Sequence, residues 1–250
     1  MTHSIFGSLF RDQTVVITGA GNGIGRAALQ AFHASGATII AHLGREKRYL
    51  DDQPEGVIGW TGDFTRVEEQ QKFVDFVKSK STVVDVLINN AGTMFGRFPA
   101  DTLTEDQYQQ IVELNQSSVV RITRGILPLL KASSSAAIVN TVSISASTGG
   151  SPGSSIYSAT KAFVSTYSRG LARELAPSGI RVNAISPGVI DTDFHTRYSS
   201  VEKLEATRLQ IPLQRLGTAQ DCAPSFLFLA SAQLSGYITG QVLEINGGQR

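Results

Sequence analysis

Tyr157 and Lys161 stand four residues apart. In a helix that spacing puts both side chains on one face, one turn apart. A phenol titrates at about 10 in water and is a poor acid–base group near neutrality. An ammonium held beside it favours the phenolate and lowers that value, toward the range where general acid–base catalysis works. The pair therefore predicts a proton-handling dyad in which Lys161 depresses the Tyr157 pKa. Just upstream, residues 143–155 are rich in Ser, Gly and Thr and bring hydroxyl groups toward it.

A second motif suits phosphate. Residues 14–18, Thr-Val-Val-Ile-Thr, read as a buried β-strand and run straight into Gly19-Ala20-Gly21-Asn22-Gly23-Ile24-Gly25. Residues 26–32 then read as a helix. Glycines let the backbone turn sharply and approach a pyrophosphate, with the helix N-terminus facing the negative charge. Strand, turn and helix in that order predict a dinucleotide site. A bare ribose 2′-hydroxyl usually meets Asp or Glu at the end of the next strand. Here that strand, 37–42, ends His42-Leu43-Gly44-Arg45, with Lys47 and Arg48 close behind. No carboxylate stands at the expected place, and Arg45 suits a 2′-phosphate, so NADP(H) is expected over NAD(H).

The elements that must position these groups alternate along the chain. Strands are expected at 57–60, 83–88, 136–141, 181–185 and 241–245. Helices are expected at 67–80, over most of 104–131, at 157–175 and at 220–231. Such alternation predicts an α/β fold, a single doubly wound Rossmann-type domain with a parallel sheet and helices on both faces.

Composition narrows the class. The 250 residues are 41% hydrophobic and 17% charged, with a formal net charge of +1, which gives no electrostatic case for nucleic acid or a membrane surface. Residues 1–13 lack a continuous apolar stretch, so no signal peptide is expected, and no apolar run is long enough to span a membrane. One cysteine, Cys222, excludes an intrachain disulfide, and four histidines without ligand spacing argue against structural zinc. A cytoplasmic, metal-free protein is the expectation.

Thr18-Gly19-Ala20-Gly21-Asn22-Gly23-Ile24-Gly25, Asn89-Asn90-Ala91-Gly92, Asn115, Ser143, Tyr157 with Lys161, and Ser186-Pro187-Gly188 occur in the order and rough spacing of the classical short-chain dehydrogenases/reductases. The resemblance runs from about residue 14 to 248. It implies an NAD(P)-dependent oxidoreductase that interconverts a secondary alcohol and a carbonyl. Tyr157 would pass the proton, Lys161 would hold the nicotinamide ribose, and Ser143 would polarise the carbonyl. Asn115 would hold a water that relays protons from Lys161. Ser145 is the alternate to Ser143, because the family's usual spacing falls between them. Gly19, Asn22, Gly23, Ile24 and Gly25 would form the phosphate loop. Asp63 and Phe64 would contact adenine, or Asp63 would cap a helix. Asn89, Ala91 and Gly92 would line the ribose, or Asn89 would brace the sheet. Pro187, Gly188, Ile190 and Thr192 would embrace the nicotinamide. Relatives that prefer NADP often carry a basic residue where Asn22 stands. The resemblance further implies a small-molecule alcohol or carbonyl substrate, bound near residues 94–98 and by a loop at about 189–212, and a homotetramer. A non-catalytic dinucleotide sensor or scaffold on the same fold is the competing reading.

Overall fold

The computed structural model describes residues 7–249, apart from the side chains of His195 and Thr196. The β-branched run forms β1 (Thr14–Ile17), and the glycine turn delivers the chain into α1 (Gly23–Ala34). Next come β2 (Thr38–His42), α2 (Arg48–Asp51), β3 (Ile58–Trp60) and α3 (Val67–Lys80). β4 (Val86–Asn89) leads to α4 (Glu105–Val112), a π-helical turn at Glu113–Ser117, and α5 (Ser118–Lys131). β5 (Ala137–Thr141), α6 (Ser145–Thr148) and the long α7 (Ser155–Leu175) precede β6 (Arg181–Pro187). β7 (Ile190–Asp191), α8 (Asp193–Tyr198), α9 (Val201–Gln210) and β8 (Gly217–Thr218) follow. α10 (Ala219–Ala230), α11 (Ala232–Ser235) and β9 (Val242–Ile245) end the described fold.

Seven strands form one parallel sheet in the order β3-β2-β1-β4-β5-β6-β9, and β7 pairs with β8 apart from it. Strand side chains alternate between faces. On β1, Val15 and Ile17 join Ala28, Leu29, Phe32 and Phe226 under α1 and α10, while Val16 joins Phe73, Val77, Ile122 and Ile126 under α3 and α5. Burying each such side chain contributes about 1.5–3 kcal/mol. Both faces are covered, as the near-continuous apolar strands require. Cys222 is fully buried in the α1–α10 layer, and its thiol is pushed up to about 12 by burial and by Asp221.

The strand order reverses between β1 and β4, and a doubly wound sheet opens its ligand crevice at the carboxyl ends of the strands there. Thr18 ties the two ends together: its hydroxyl accepts from the Asn90 and Ala91 amides at 3.0 and 3.1 Å.

Two sequence expectations need correction. β4 begins at Val86 rather than 83, because the Asp85 carboxylate accepts from Thr14 N and Ser133 Oγ and occupies the lead-in. Residues 104–131 are mostly helical as expected, with a π-helical turn at Asn115 between α4 and α5. Residues 189–212 are not a loop but carry β7, α8 and α9.

Candidate active site

A cleft of about 740 Å³ opens over the carboxyl ends of the strands. At one end lies the glycine turn. Gly19 has φ +68°, and a Cβ there would stand 2.7 Å from the Ala91 Cα, so only glycine lets β1 and β4 meet this closely. Asn22, at the N-cap of α1, makes no side-chain cap bond, and no acidic residue occupies the first turn. The amides at the start of α1 are thus left unclaimed by side chains, which suits an anion.

His42 and Asn90 hold this turn, and sequence reading assigned neither a role. Gly19 N donates to His42 Nδ1 at 3.3 Å, and His42 Nε2 lies 3.0 Å from the Gly62 carbonyl. Together the contacts fit the neutral tautomer with its proton on Nε2. Burial lowers the His42 pKa to about 4, so the ring stays neutral across ordinary pH. Asn90 Nδ2 donates to the Gly19 carbonyl at 3.1 Å, and its Oδ1 accepts from Thr141 Oγ1 at 3.2 Å.

Arg45 reaches the same end, 65% exposed, with Nη1 3.6 Å from Asp63 Oδ2. Burial raises the Asp63 pKa, but hydrogen bonds from Thr65 N and Oγ1 and the Arg45 charge outweigh it and leave the carboxyl below its ordinary value. Asp63 therefore closes the turn before α3 while lining the cleft beside Phe64. Glu46 also lines this end, a carboxylate the sequence reading passed over; it pairs with Arg48 at 2.6 Å. Tyr49, another unforeseen neighbour, accepts from Asn22 Nδ2 at 3.3 Å.

In the middle of the cleft, α7 presents Tyr157 and Lys161 on one face, and Ser143, two residues past the end of β5, stands beside Tyr157. Ser145 Oγ donates to Ser143 Oγ at 3.0 Å, so Ser143 meets the tyrosine and Ser145 supports it from α6. Lys161 Nζ donates to the Thr141 carbonyl at 2.9 Å and lies 5.7 Å from the Tyr157 ring centre. The expected lowering of the Tyr157 pKa is not what this geometry gives. Burial pushes Tyr157 up to about 12 against the smaller effect of Ser143, and burial alone brings Lys161 down to about 8. Lys161 donates to a backbone carbonyl rather than to the phenol, so desolvation dominates both groups.

Asn115 is fully buried and does not line the cleft. The π turn lets its Nδ2 donate to the carbonyls of Thr93 and Ile111, both at 2.8 Å, while Oδ1 has no partner. A Cβ on Gly92 would fall 2.7 Å from that Oδ1 and 3.0 Å from Lys161 Nζ, so both atoms face one small space. Asn89 is likewise outside the cleft lining: its Nδ2 donates to Thr123 Oγ1 at 3.0 Å and Asn140 Oδ1 at 2.9 Å, bracing the sheet. Ala91 and Gly92 line the cleft, as do Pro187, Gly188, Ile190 and Thr192 on its far wall. Gly23, Ile24 and Gly25 complete the glycine turn. Met94, Phe95 and Arg97, within the stretch expected near the substrate, line it too, as do residues of α8 and α9.

A dinucleotide fits what these residues offer: a glycine turn with unclaimed amides, a cation at one end, and an orphaned buried amide oxygen beside Lys161. Glycine turn residues and Arg45 would hold its phosphates, and Lys161 with Pro187, Gly188 and Thr192 its nicotinamide half. Among the described residues no cluster could bind a metal ion, and no helix is long and apolar enough to cross a membrane.

Comparison with known proteins agrees with this geometry. A family profile described as enoyl-(acyl carrier protein) reductase matches residues 19–250. The chain is 34% identical over 245 residues to 3-oxoacyl-(acyl-carrier-protein) reductase FabG of Salmonella typhimurium, covering 96% of this chain and 98% of that one. It is 33% identical over 251 residues to the chloroplastic NADPH-dependent aldehyde reductase 1 of Arabidopsis thaliana, covering 95% and 86%. The 3-ketoacyl-(acyl-carrier-protein) reductase of Brucella melitensis, complexed with NADH, superposes with a TM-score of 0.87 at 30% identity, covering 95% of this chain and 98% of that one.

Proposed function

The chain belongs to the classical short-chain dehydrogenase/reductase family of NAD(P)-dependent oxidoreductases, and on that premise we propose that it interconverts a secondary alcohol and a ketone or other carbonyl. The observation that carries this reading is that Ser143, Tyr157 and Lys161 line one cleft together. A sensor or scaffold has no need of that proton-handling set, so catalysis is the better reading.

A bound nicotinamide supplies or accepts the hydride. The protein's own residues do the rest. Tyr157, protonated at all ordinary pH because its pKa stands near 12, donates its proton to the substrate oxygen in the reductive direction. Ser143 donates to the same oxygen and stabilises the charge that develops there. Lys161, titrating near 8, can both give and take a proton close to neutrality. Asn115 Oδ1, orphaned beside Lys161 Nζ, is the acceptor for a water that would carry protons onward.

We take the cofactor to be NADP(H) in preference to NAD(H). Arg45 supports this as the cleft's cation nearest the end of β2, and Leu43 leaves no carboxylate at that strand end. Glu46 does not oppose it strongly, since Arg48 neutralises that carboxylate.

One experiment tests the reading: a panel of secondary alcohols and ketones, assayed with both cofactors in wild type and Tyr157→Phe. Wild type should turn over with a higher kcat/KM for NADP(H). The substitution removes only the proton donor, so turnover should fall by about 10²–10⁴-fold with cofactor affinity nearly unchanged. Near-wild-type turnover in the variant, or tight cofactor binding with no substrate in the panel, would sink the assignment. A preference for NAD(H) would overturn the cofactor choice alone.

A further inference from the structure

Beyond Tyr157 the cleft carries positive charge that neither cofactor binding nor proton transfer requires. Arg97 from the β4–α4 connection, Arg197 in α8 and Lys203 in α9 all line it. Segments distant in the chain thus converge their cations on the substrate end. Arg97 Nε donates to the Tyr198 carbonyl at 3.1 Å and Nη1 to the Pro152 carbonyl at 3.4 Å. Lys203 Nζ donates to Ser151 Oγ at 3.0 Å, so Arg97 and Lys203 grip adjacent residues of one turn. None of the three forms an ion pair among the described residues. Asp193, the carboxylate lining this end, accepts instead from Asn22 Nδ2 at 3.4 Å, toward the glycine turn.

An aromatic wall connects this charge to the chemistry. Phe194 packs on Tyr157 with ring centres 5.9 Å apart and meets Tyr198 edge-on at 5.1 Å. Tyr198 in turn carries the carbonyl that anchors Arg97. A carbonyl placed at Tyr157 is therefore two ring contacts from the cations. Burial and the Arg97 charge both lower the Lys203 pKa, the mark of like charges held together without a compensating anion.

We propose that the substrate is an anionic carbonyl compound, its carboxylate or phosphate bound by Arg97 and Lys203 with Arg197 adding charge, and its carbon chain lying along Phe194. This rests on the oxidoreductase reading above and names its substrate class. A guanidinium offers the planar fork that oxyanions accept, and the half-buried position of Arg97 strengthens the contact relative to open solvent.

The test uses matched pairs that differ only in charge: 5-oxohexanoate against its methyl ester, and dihydroxyacetone phosphate against dihydroxyacetone. kcat/KM is measured for each, and affinity by calorimetry on the cofactor-loaded enzyme. The charged member of at least one pair should win by about tenfold or more, a factor worth about 1.4 kcal/mol, and added salt should narrow the gap. Which pair wins separates carboxylate from phosphate. Lys203→Gln and Arg97→Gln should each shrink the ratio several-fold, and Arg97→Lys should restore part of it. Damage to the fold would weaken both members alike and leave the ratio unchanged. Equal binding and turnover within both pairs, or a ratio untouched by both Gln substitutions, overturns the inference. Turnover of neutral ketones without charge preference would do so while leaving the oxidoreductase reading intact. Charge-selective binding with no turnover of any compound would do the reverse.

Discussion

At the residue scale, Lys161 is a buried amine held at a cost to the fold. Its pKa falls from 10.5 to about 8, and its one described hydrogen-bond acceptor is the Thr141 carbonyl. Between those two values the unfolded chain binds more protons than the native one, so stability rises with pH across the window. Below about 8 the penalty is present in full. Lys161→Met should therefore raise unfolding free energy at pH 7 by on the order of 1–3 kcal/mol, the lost bond to Thr141 offsetting part of the gain. The gain should vanish near pH 10.5, and activity should be lost at every pH. Urea unfolding at the two pH values checks this; a variant less stable than wild type at pH 7 refutes it. The spacing of Tyr157 and Lys161 was legible in the sequence because a helix converts it directly into a shared face. The direction of the Tyr157 shift was not. It depends on how much protein covers the ring and on which acceptor Lys161 finds, and both are properties of the folded chain.

At the element scale, α7 is registered on the sheet by polar side chains. Asn89 on β4 donates to Asn140 on β5, which donates to Ser168 on α7 at 2.8 Å, all in the buried interior. Satisfied networks of this kind fix one arrangement, and breaking one member strands its partners. Asn140→Leu should lower stability by about 1–3 kcal/mol, and it should also slow turnover, since the same helix carries Tyr157 and Lys161. A lower denaturation midpoint with an unchanged slope, together with reduced kcat, is the expected result; wild-type values for both would show that the network positions nothing. The long strands and helices were legible from apolar periodicity. α6, α8 and α9 were not, because short Ser- and charge-rich segments show no apolar stripe and become helical only against the cleft. The π turn at Asn115 was not legible in the sequence, since a single added residue shows only as a shift of helical phase between two short apolar stretches.

At the scale of the whole molecule, apolar side chains remain on its outside. Tyr108 on α4 and Phe163 on α7 are 40% and 37% exposed, and Tyr237 beside α11 is fully exposed with Leu234 at 46%. Val201, Leu209 and Leu213 around α9 are exposed as well, and large apolar groups left in water are what a protein with subunit contacts would show. We accordingly expect a homotetramer by sedimentation at micromolar concentration, and a monomer there would refute it. Self-association was only an inference from resemblance, because exposure of a given helix face is decided by what packs on the others. The α1–α10 layer has a different outcome. A thiol reacts as its thiolate, and Cys222 in its native setting almost never is one. Alkylating agents and oxidants reach it only after α10 lifts from α1. Because the chain has no second cysteine, each covalent mark on a thiol records one such opening, and the protein carries its own clock for that motion.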